Sequence, residues 1–230
     1  MNDRFQPEAR ASSATDMVFD AMQARILSLE LPPGTRLSEA DVARQFGLSR
    51  QPVRDAFYRL SMLGFLLIRP QRATEVSRIS ATDILVARFL RTAAEVEMAR
   101  RACAVIGDAD IAALQAEVDA QAQMIAAQDP EGFKRHDDAF HHAICAACGL
   151  AAVWTRIAES KAHTDRLRIL SIKVGSQEAL EDHQAILDAI AARDADRAGL
   201  MVRRHLDRIR GVIEGLRETH ADWFAPEDRS

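Results

Sequence analysis

Ser38-Glu-Ala-Asp-Val-Ala-Arg-Gln-Phe-Gly47-Leu-Ser49-Arg50-Gln51-Pro52-Val53-Arg54 is the stretch whose reading decides the fold. Ser38 begins an acidic first turn behind an N-cap serine, which predicts a short helix Glu39–Phe46 stopped by Gly47. Ser49 is expected to cap the next helix, with Pro52 tolerated in its first turn and Val53, Phe57 and Leu60 facing inward until Gly64. Two short helices across the tight Phe46-Gly47-Leu48-Ser49 turn make a helix-turn-helix.

Upstream, Val18, Met22, Ile26 and Leu29 recur at helical spacing, and the helix they mark must end before Leu31-Pro32-Pro33-Gly34. Downstream, Phe65-Leu66-Leu67-Ile68 is too short for a helix. After Arg69-Pro70-Gln71-Arg72, the Thr74-Glu75-Val76 segment can return beside it as a small β-hairpin. From Thr82 onward no strand signal survives. Breaks at Gly107-Asp108, Asp129-Pro130, Gly149, Gly175-Ser176 and near Asp194 leave about six amphipathic helices: 83–106, 109–127, 131–148, 150–172, 177–192 and 195–219. The expected fold is mainly α, an N-terminal winged helix-turn-helix with a small β-hairpin joined to a C-terminal antiparallel α-helical bundle. The expected divisions are a flexible arm over 1–13, the winged helix over 14–78, a linker over 79–82, the bundle over 83–219 and a frayed tail over 220–230.

Composition agrees with this reading. Of 230 residues 48% are apolar, enough for a sizeable core, while only 5% are aromatic, which argues against an all-β fold. No stretch approaches the roughly 20 apolar residues of a membrane helix, and the opening Met1–Ser13 lacks the apolar run of a secretory signal. Cys103, Cys145 and Cys148 have no framework spacing and read as reduced thiols, so a cytoplasmic protein without membrane partners is expected. The Cys145-x-x-Cys148 pair falls in a helix with no βαβ context and reads as small buried residues. Trp154 and Trp223 are expected to pack.

The formal net charge of –4 hides two opposed halves. Residues 36–78 hold eight arginines (36, 44, 50, 54, 59, 69, 72 and 78) against Glu39, Asp41, Asp55 and Glu75, whereas 79–230 is net acidic. A small basic module is joined to a larger acidic one, and the basic one has the charge of a nucleic-acid reader. Arg50, Gln51 and Arg54 lie around the first turn of the second helix, where such a motif presents side chains to base edges and phosphates. The helix N-terminus at Ser49 adds N–H groups suited to a phosphate. Arg36 precedes the first of the two helices, and Arg69 and Arg72 in the hairpin could clamp the backbone. Arginines on a merely solvated surface are the bland alternative.

The run from Leu31 to Leu60, followed by Gly64-Phe65, closely resembles the winged-helix domain of GntR-family transcription regulators, above all in Ser49-Arg50-Gln51-Pro52-Val53-Arg54. The resemblance covers nearly all of 15–78 and implies Arg36, Arg50 and Arg54 as the main DNA contacts. The full expected DNA-binding set is Arg36, Ser49, Arg50, Gln51, Arg54 and Arg72. One departure is Arg72-Ala73-Thr74, where the family's wing usually carries a glycine; Ala73 puts the wing's contact with the minor groove in question.

The predicted helix 131–148 places Asp137 and His141 at the border of its apolar face, with Asp138 and His142 further round. His183 shares a stripe with Leu180, Ile186, Leu187 and Ile190, and His205 with Met201, Val202, Ile209 and Val212. A lone histidine on such a stripe is ordinarily a hydrogen-bonded core residue. Three of them with a carboxylate inside one bundle are also satisfied by one divalent metal, with Zn, Ni, Mn or Fe all suited to imidazole and carboxylate. Asp137-x-x-Phe140-His141, Asp182-His183-Gln-Ala-Ile-Leu-Asp-Ala-Ile190 and His205-Leu206 resemble the metal-binding FCD effector domain of the FadR subfamily over about 83–217. That resemblance implies Asp137, His141, His183 and His205 as ligands, with His163 the next histidine to consider. Members commonly have Asn where this chain has Leu150 after Gly149.

Arg91 and Glu95 share an inward stripe with Ile84, Met98 and Ala102. They read either as an intrahelical pair or as a pocket in which Arg91 takes an effector carboxylate, the latter also resembling the FCD pattern. The expected function is a ligand-responsive regulator, a homodimer on a palindromic double-stranded operator, acting as a repressor released when a small carboxylate effector binds at the metal. The alternatives are a metal-dependent enzyme, for which no separate general base is found, and a bundle that only dimerises.

Overall fold

The described residues of the computed structural model are 13–226, with side chains described for all of these except 159–163, 165–166 and 168–175. The chain divides into two compact units, Met1–Ile79 and Ser80–Ser230.

In the first unit α1 (Ala14–Leu27) starts at a Ser13–Asp16 capping box, and Asp16 also takes Arg59 of α3 at 2.7 Å. Those bonds, Ser13 first and Arg59 next, lower the Asp16 carboxyl to about 2. The Arg59 guanidinium then lies over the Phe19 ring, so one side chain ties α1 to α3 (Arg50–Met62) by charge and by stacking. Between them α2 (Glu39–Phe46) ends at Gly47, whose left-handed φ of 66° makes the tight turn available to a residue without Cβ. Val18, Met22, Ile26, Val53, Phe57, Leu60, Phe65 and Val76 are buried and form the core.

Three details differ from the sequence reading. Ser49 stands at the N-cap of α3 but makes no capping bond. Such a side chain normally accepts from the second or third helical N–H, and the third residue here is Pro52, which has none. The hairpin of β2 (Leu66–Leu67) and β3 (Thr74–Val76) gains a third strand, β1 (Arg36–Leu37), giving an antiparallel sheet ordered β1-β3-β2 with Arg36 opposite Glu75 and Leu66 opposite Val76. In the wing turn the left-handed residue is Gln71, with φ 57°, so Ala73 is not asked for a glycine conformation.

The second unit holds α4 (Ala81–Val105), α5 (Asp108–Ala126), α6 (Pro130–Ala147), α7 (Ala151–Ala191), α8 (Ala195–Asp207) and α9 (Ile209–Thr219). Helix α4 packs on α6, α7 and α8, and α5 packs on α6 and α7. Their apolar stripes meet in one core that includes Met98, Ala102, Leu114, Phe140, Ile144, Ile186 and Val202. Gly199 lets α8 approach α4: a Cβ there would lie 3.3 Å from Val96 Cγ1. No helix among the described residues is long and apolar enough to cross a membrane.

The two helices expected at 150–172 and 177–192 form the single helical element α7, which nevertheless bends. Trp154 and His183 are separated by about 43 Å in a straight helix, yet their rings lie 5.8 and 5.1 Å from that of His141. The helix nevertheless continues through Gly175-Ser176, where a break is expected from the sequence. The predicted helix 195–219 is instead split at Arg208, whose N–H turns to His205 O at 3.4 Å rather than continuing the ladder. The expected frayed tail also differs: Ala221–Trp223 form a 3₁₀ turn and Phe224 is buried beneath Arg217, since an aromatic anchor outweighs the entropy of a free end. His163 lies outside the described residues.

Leu150, half-exposed, occupies the N-cap of α7 and offers no side-chain acceptor to its first turn. Replacing it by Asn supplies one, worth about 1 kcal/mol. The expected rise in melting temperature is about 2–4 °C by circular dichroism; a fall would show that the Leu150 side chain contributes more by packing than a cap supplies.

Candidate metal centre and nucleic-acid interface

Four side chains from three helices converge in the bundle: Asp137 and His141 from α6, His183 from α7 and His205 from α8. All are buried, and one potential ligand atom from each lies within 4.8 Å of the others. The pairing of Asp137 with His141 follows from their spacing of four, one helical turn apart. The outward pair behaves differently: Asp138 takes Lys134 at 3.2 Å and His142 is exposed.

The orientation of each imidazole follows from what holds its other nitrogen. Gln121 of α5 donates through Nε2 to the His136 carbonyl at 3.2 Å, which fixes its amide so that Oε1 accepts from His183 Nδ1 at 2.6 Å. His141 Nδ1 lies 2.8 Å from Glu95 Oε2, and Glu95 Oε1 accepts from Arg91 Nε at 2.6 Å. His205 Nδ1 faces Asp182 Oδ2 at 3.6 Å, and Arg208 grips Asp182 through Nε and through Nη2 at 3.1 Å. With the proton on Nδ1 in each ring, all three Nε2 atoms present lone pairs to one point.

Burial alone would raise the Glu95 carboxyl, but the Arg91 charge and then His141 hold it well below the usual carboxylate range. Burial likewise opposes ionisation of Asp182, and bonds to His205 and Arg208 overcome it. Both outer carboxylates are therefore anionic acceptors, which makes the imidazoles they hold more basic ligands.

His183 and His205 bring their Nε2 atoms to 3.3 Å, and Asp137 Oδ1 lies 3.5 Å from His183 Nε2. Two lone pairs at that distance do not bond to each other, whereas a separation of about 3.3 Å is what two nitrogens at about 2.0–2.1 Å from one tetrahedral ion adopt. His141 Nε2 is buried and has no hydrogen-bond partner. The residues present thus fit a divalent cation. Phe140 stacks on His183 and Trp154 on His141, walling the cluster with aromatic surface.

Arg91 is 3% exposed, and its Nη2 has no hydrogen-bond partner. An Arg Nη2 in this state can still accept an anion, which a satisfied guanidinium cannot. The thiol of Cys145 is pushed up to about 12 by burial, so it is protonated near neutral pH.

Sequence reasoning did not find Gln121, because a lone glutamine in a helix carries no signal. Glu95 was legible only as the neighbour of Arg91, and Asp182 only as the residue before His183; their contacts with His141 and His205 are between helices.

In the first unit the expected DNA-reading side chains fall into two exposed groups. Arg50, Gln51 and Arg54 stand on the first turns of α3, after Ser49. Arg36 and Arg72, with Arg69, line a cleft of about 390 Å³ on the sheet, closed by Leu67, Ala73 and Glu75.

Two family models match this chain, bacterial regulatory proteins of the gntR family over residues 14–76 and the FCD domain over 87–208. A helix-turn-helix reader joined in one chain to a helical bundle with a buried histidine cluster defines a class, the one-chain transcription regulator. This chain belongs to the GntR family and to its FadR-like, FCD-containing subfamily. It is 32% identical over 212 residues, 91% of this chain and 93% of the relative, to the HTH-type transcriptional repressor RspR of Escherichia coli. It is 31% identical, over 91% of this chain and 89% of the relative, to an HTH-type transcriptional regulator of Streptomyces ambofaciens. Among solved structures, Escherichia coli McbR/YncC matches with a TM-score of 0.71 at 20% identity, covering 89% of this chain and 99% of that one. A GntR regulator from Rhodococcus matches at 0.69 with 22% identity, covering 87% and 97%. The protein is a DNA-binding transcription regulator, and the metalloenzyme alternative falls.

The Gln121 bond yields a direct test. Gln121→Met keeps the bulk but frees the His183 ring, so Zn²⁺ affinity measured by competition with a chromogenic chelator should drop about 10–100-fold, with the helical circular dichroism unchanged. An unaltered affinity would show that Gln121 does not set the His183 ring.

Proposed function

We propose that this protein is a repressor whose grip on its operator is released when a small carboxylate binds at a metal ion in the bundle. The observation that carries this reading is the convergence of three buried Nε2 atoms and the Asp137 carboxylate, with the orphaned Nη2 of buried Arg91 joined to the same cluster through Glu95. A divalent cation, Zn, Ni, Mn or Fe, held by Asp137, His141, His183 and His205 would supply Lewis acidity to one oxygen of the effector. Arg91 then receives the other oxygen, a charge-assisted bond in a dry setting.

On the DNA side, Arg50, Gln51 and Arg54 read base edges from α3, the N-terminus of α3 at Ser49 takes a phosphate, and Arg36 and Arg72 hold the backbone. Residues 14–78 are the reader, 79–82 the linker and 83–219 the sensor. A homodimer presents two reading helices to a palindromic operator about one DNA turn apart. Such a protein works in the cytoplasm beside the chromosome. The name of the Escherichia coli relative, a repressor, supports the sign of regulation.

Purified protein is expected to hold about one metal per chain by elemental mass spectrometry, and a panel of organic acids should weaken its binding to DNA from its own upstream region. Arg54→Ala should cut that binding at least tenfold and leave metal content intact; His183→Ala should lose metal and acid response while the metal-free protein still binds DNA. Wild-type behaviour of both variants in both assays would overturn this placement of the sites.

A further inference from the structure

The two groups of arginines on the first unit are not in the same electrostatic state. Arg36, Arg69 and Arg72 around the sheet cleft make no ion pair among the described residues. Arg54 and Arg50 of α3, in contrast, both lean on one carboxylate, that of Glu39. Arg54 Nη2 and Nε lie 3.2 and 3.4 Å from Glu39 Oε2, and Arg50 Nη2 lies 3.7 Å from the same oxygen. Gln51 is similarly held, by Asp55 at 2.9 Å. The two arginine side chains are more than half exposed while Glu39 is only 24% exposed, so the acid is the more buried partner of both.

Exposed pairs of this kind contribute little to stability. Their position gives them another consequence. An arginine already satisfied by a carboxylate gains little from the phosphate of an arbitrary duplex, because it exchanges one anion for another. At the correct sequence the same guanidinium can make a bidentate contact with a guanine edge, which a carboxylate does not replace. The carboxylate also faces the approaching duplex with like charge, a penalty that only a good set of base contacts offsets.

We propose that Glu39 is a specificity-determining counter-charge: it holds Arg50 and Arg54 off DNA and so suppresses binding to sequences that offer phosphates alone. This rests on the reading that α3 contacts DNA through those arginines. Glu39 begins α2, so its register relative to α3 is set by the Gly47 turn and does not depend on the bundle.

The test compares the full-length wild-type protein with Glu39→Gln on two duplexes: one recovered from a random-sequence pool by the wild-type protein, and one of scrambled sequence. Glu39→Gln should bind the scrambled duplex about tenfold more tightly and the selected duplex within about threefold of wild type, so their affinity ratio falls. The salt dependence on the scrambled duplex should steepen by about one to two phosphate equivalents. A ratio equal to that of wild type, whether both affinities rise together or neither moves, overturns the proposal. Arg54→Ala in the same assay separates the two readings. If it loses affinity while the Glu39→Gln ratio is unchanged, only the counter-charge fails; if it binds both duplexes like wild type, the α3 contact fails and the counter-charge with it. Thermal unfolding of Glu39→Gln checks that α2 is intact.

Discussion

A buried imidazole needs a polar group opposite its Nδ1, and in this bundle each of three has one: Gln121 hydrogen-bonds His183, Glu95 lies 2.8 Å from His141, and Asp182 faces His205 at 3.6 Å. That constraint arranges most of the second unit. It draws α4 and α5, which contribute no ligand, into the site beside α6, α7 and α8. It also explains why two arginines are carried so close to the interior: a carboxylate deep among apolar residues remains charged only with a cation beside it, and Arg91 and Arg208 serve the two acids. The third acceptor is a neutral amide and needs no such partner.

Because the acceptors leave three lone pairs facing one another, the centre is costly without a cation. The free energy of binding one is therefore also free energy of holding α6, α7 and α8 together. The hydrophobic core is continuous around the cluster, through Phe140, Ile186 and Val202, so that the polar site is a small insertion in an otherwise apolar interior.

Much of this was legible in the chain itself, and what was not follows a physical rule. The helix-turn-helix could be read because its signals are local: Ser38, an acidic turn, and a glycine with positive φ at position 47. The four clustered residues could be read because each lies on or at the border of its helix's apolar face, and the resemblance to the FCD domain singled them out as a set. Strand β1 could not, since two residues carry no periodicity and Arg36–Leu37 becomes a strand only by pairing with β3. The break expected at Gly175-Ser176 does not occur, because one glycine costs a helix only about 1 kcal/mol and the packing of its flanking turns decides whether the helix continues. The interruption at Arg208 was missed for the same reason, because its side chain is drawn across to Asp182 in another helix.

The chain order of the two units sets an order of maturation. The first unit closes with β3 at Val76, whereas the buried cluster needs His205 and cannot assemble until α8 has been made. Domains fold as units, and during synthesis the N-terminal one folds first. Each new polypeptide therefore completes its helix-turn-helix before the four residues of the buried cluster can meet, so the folding of the first unit cannot wait on any cation the second one binds.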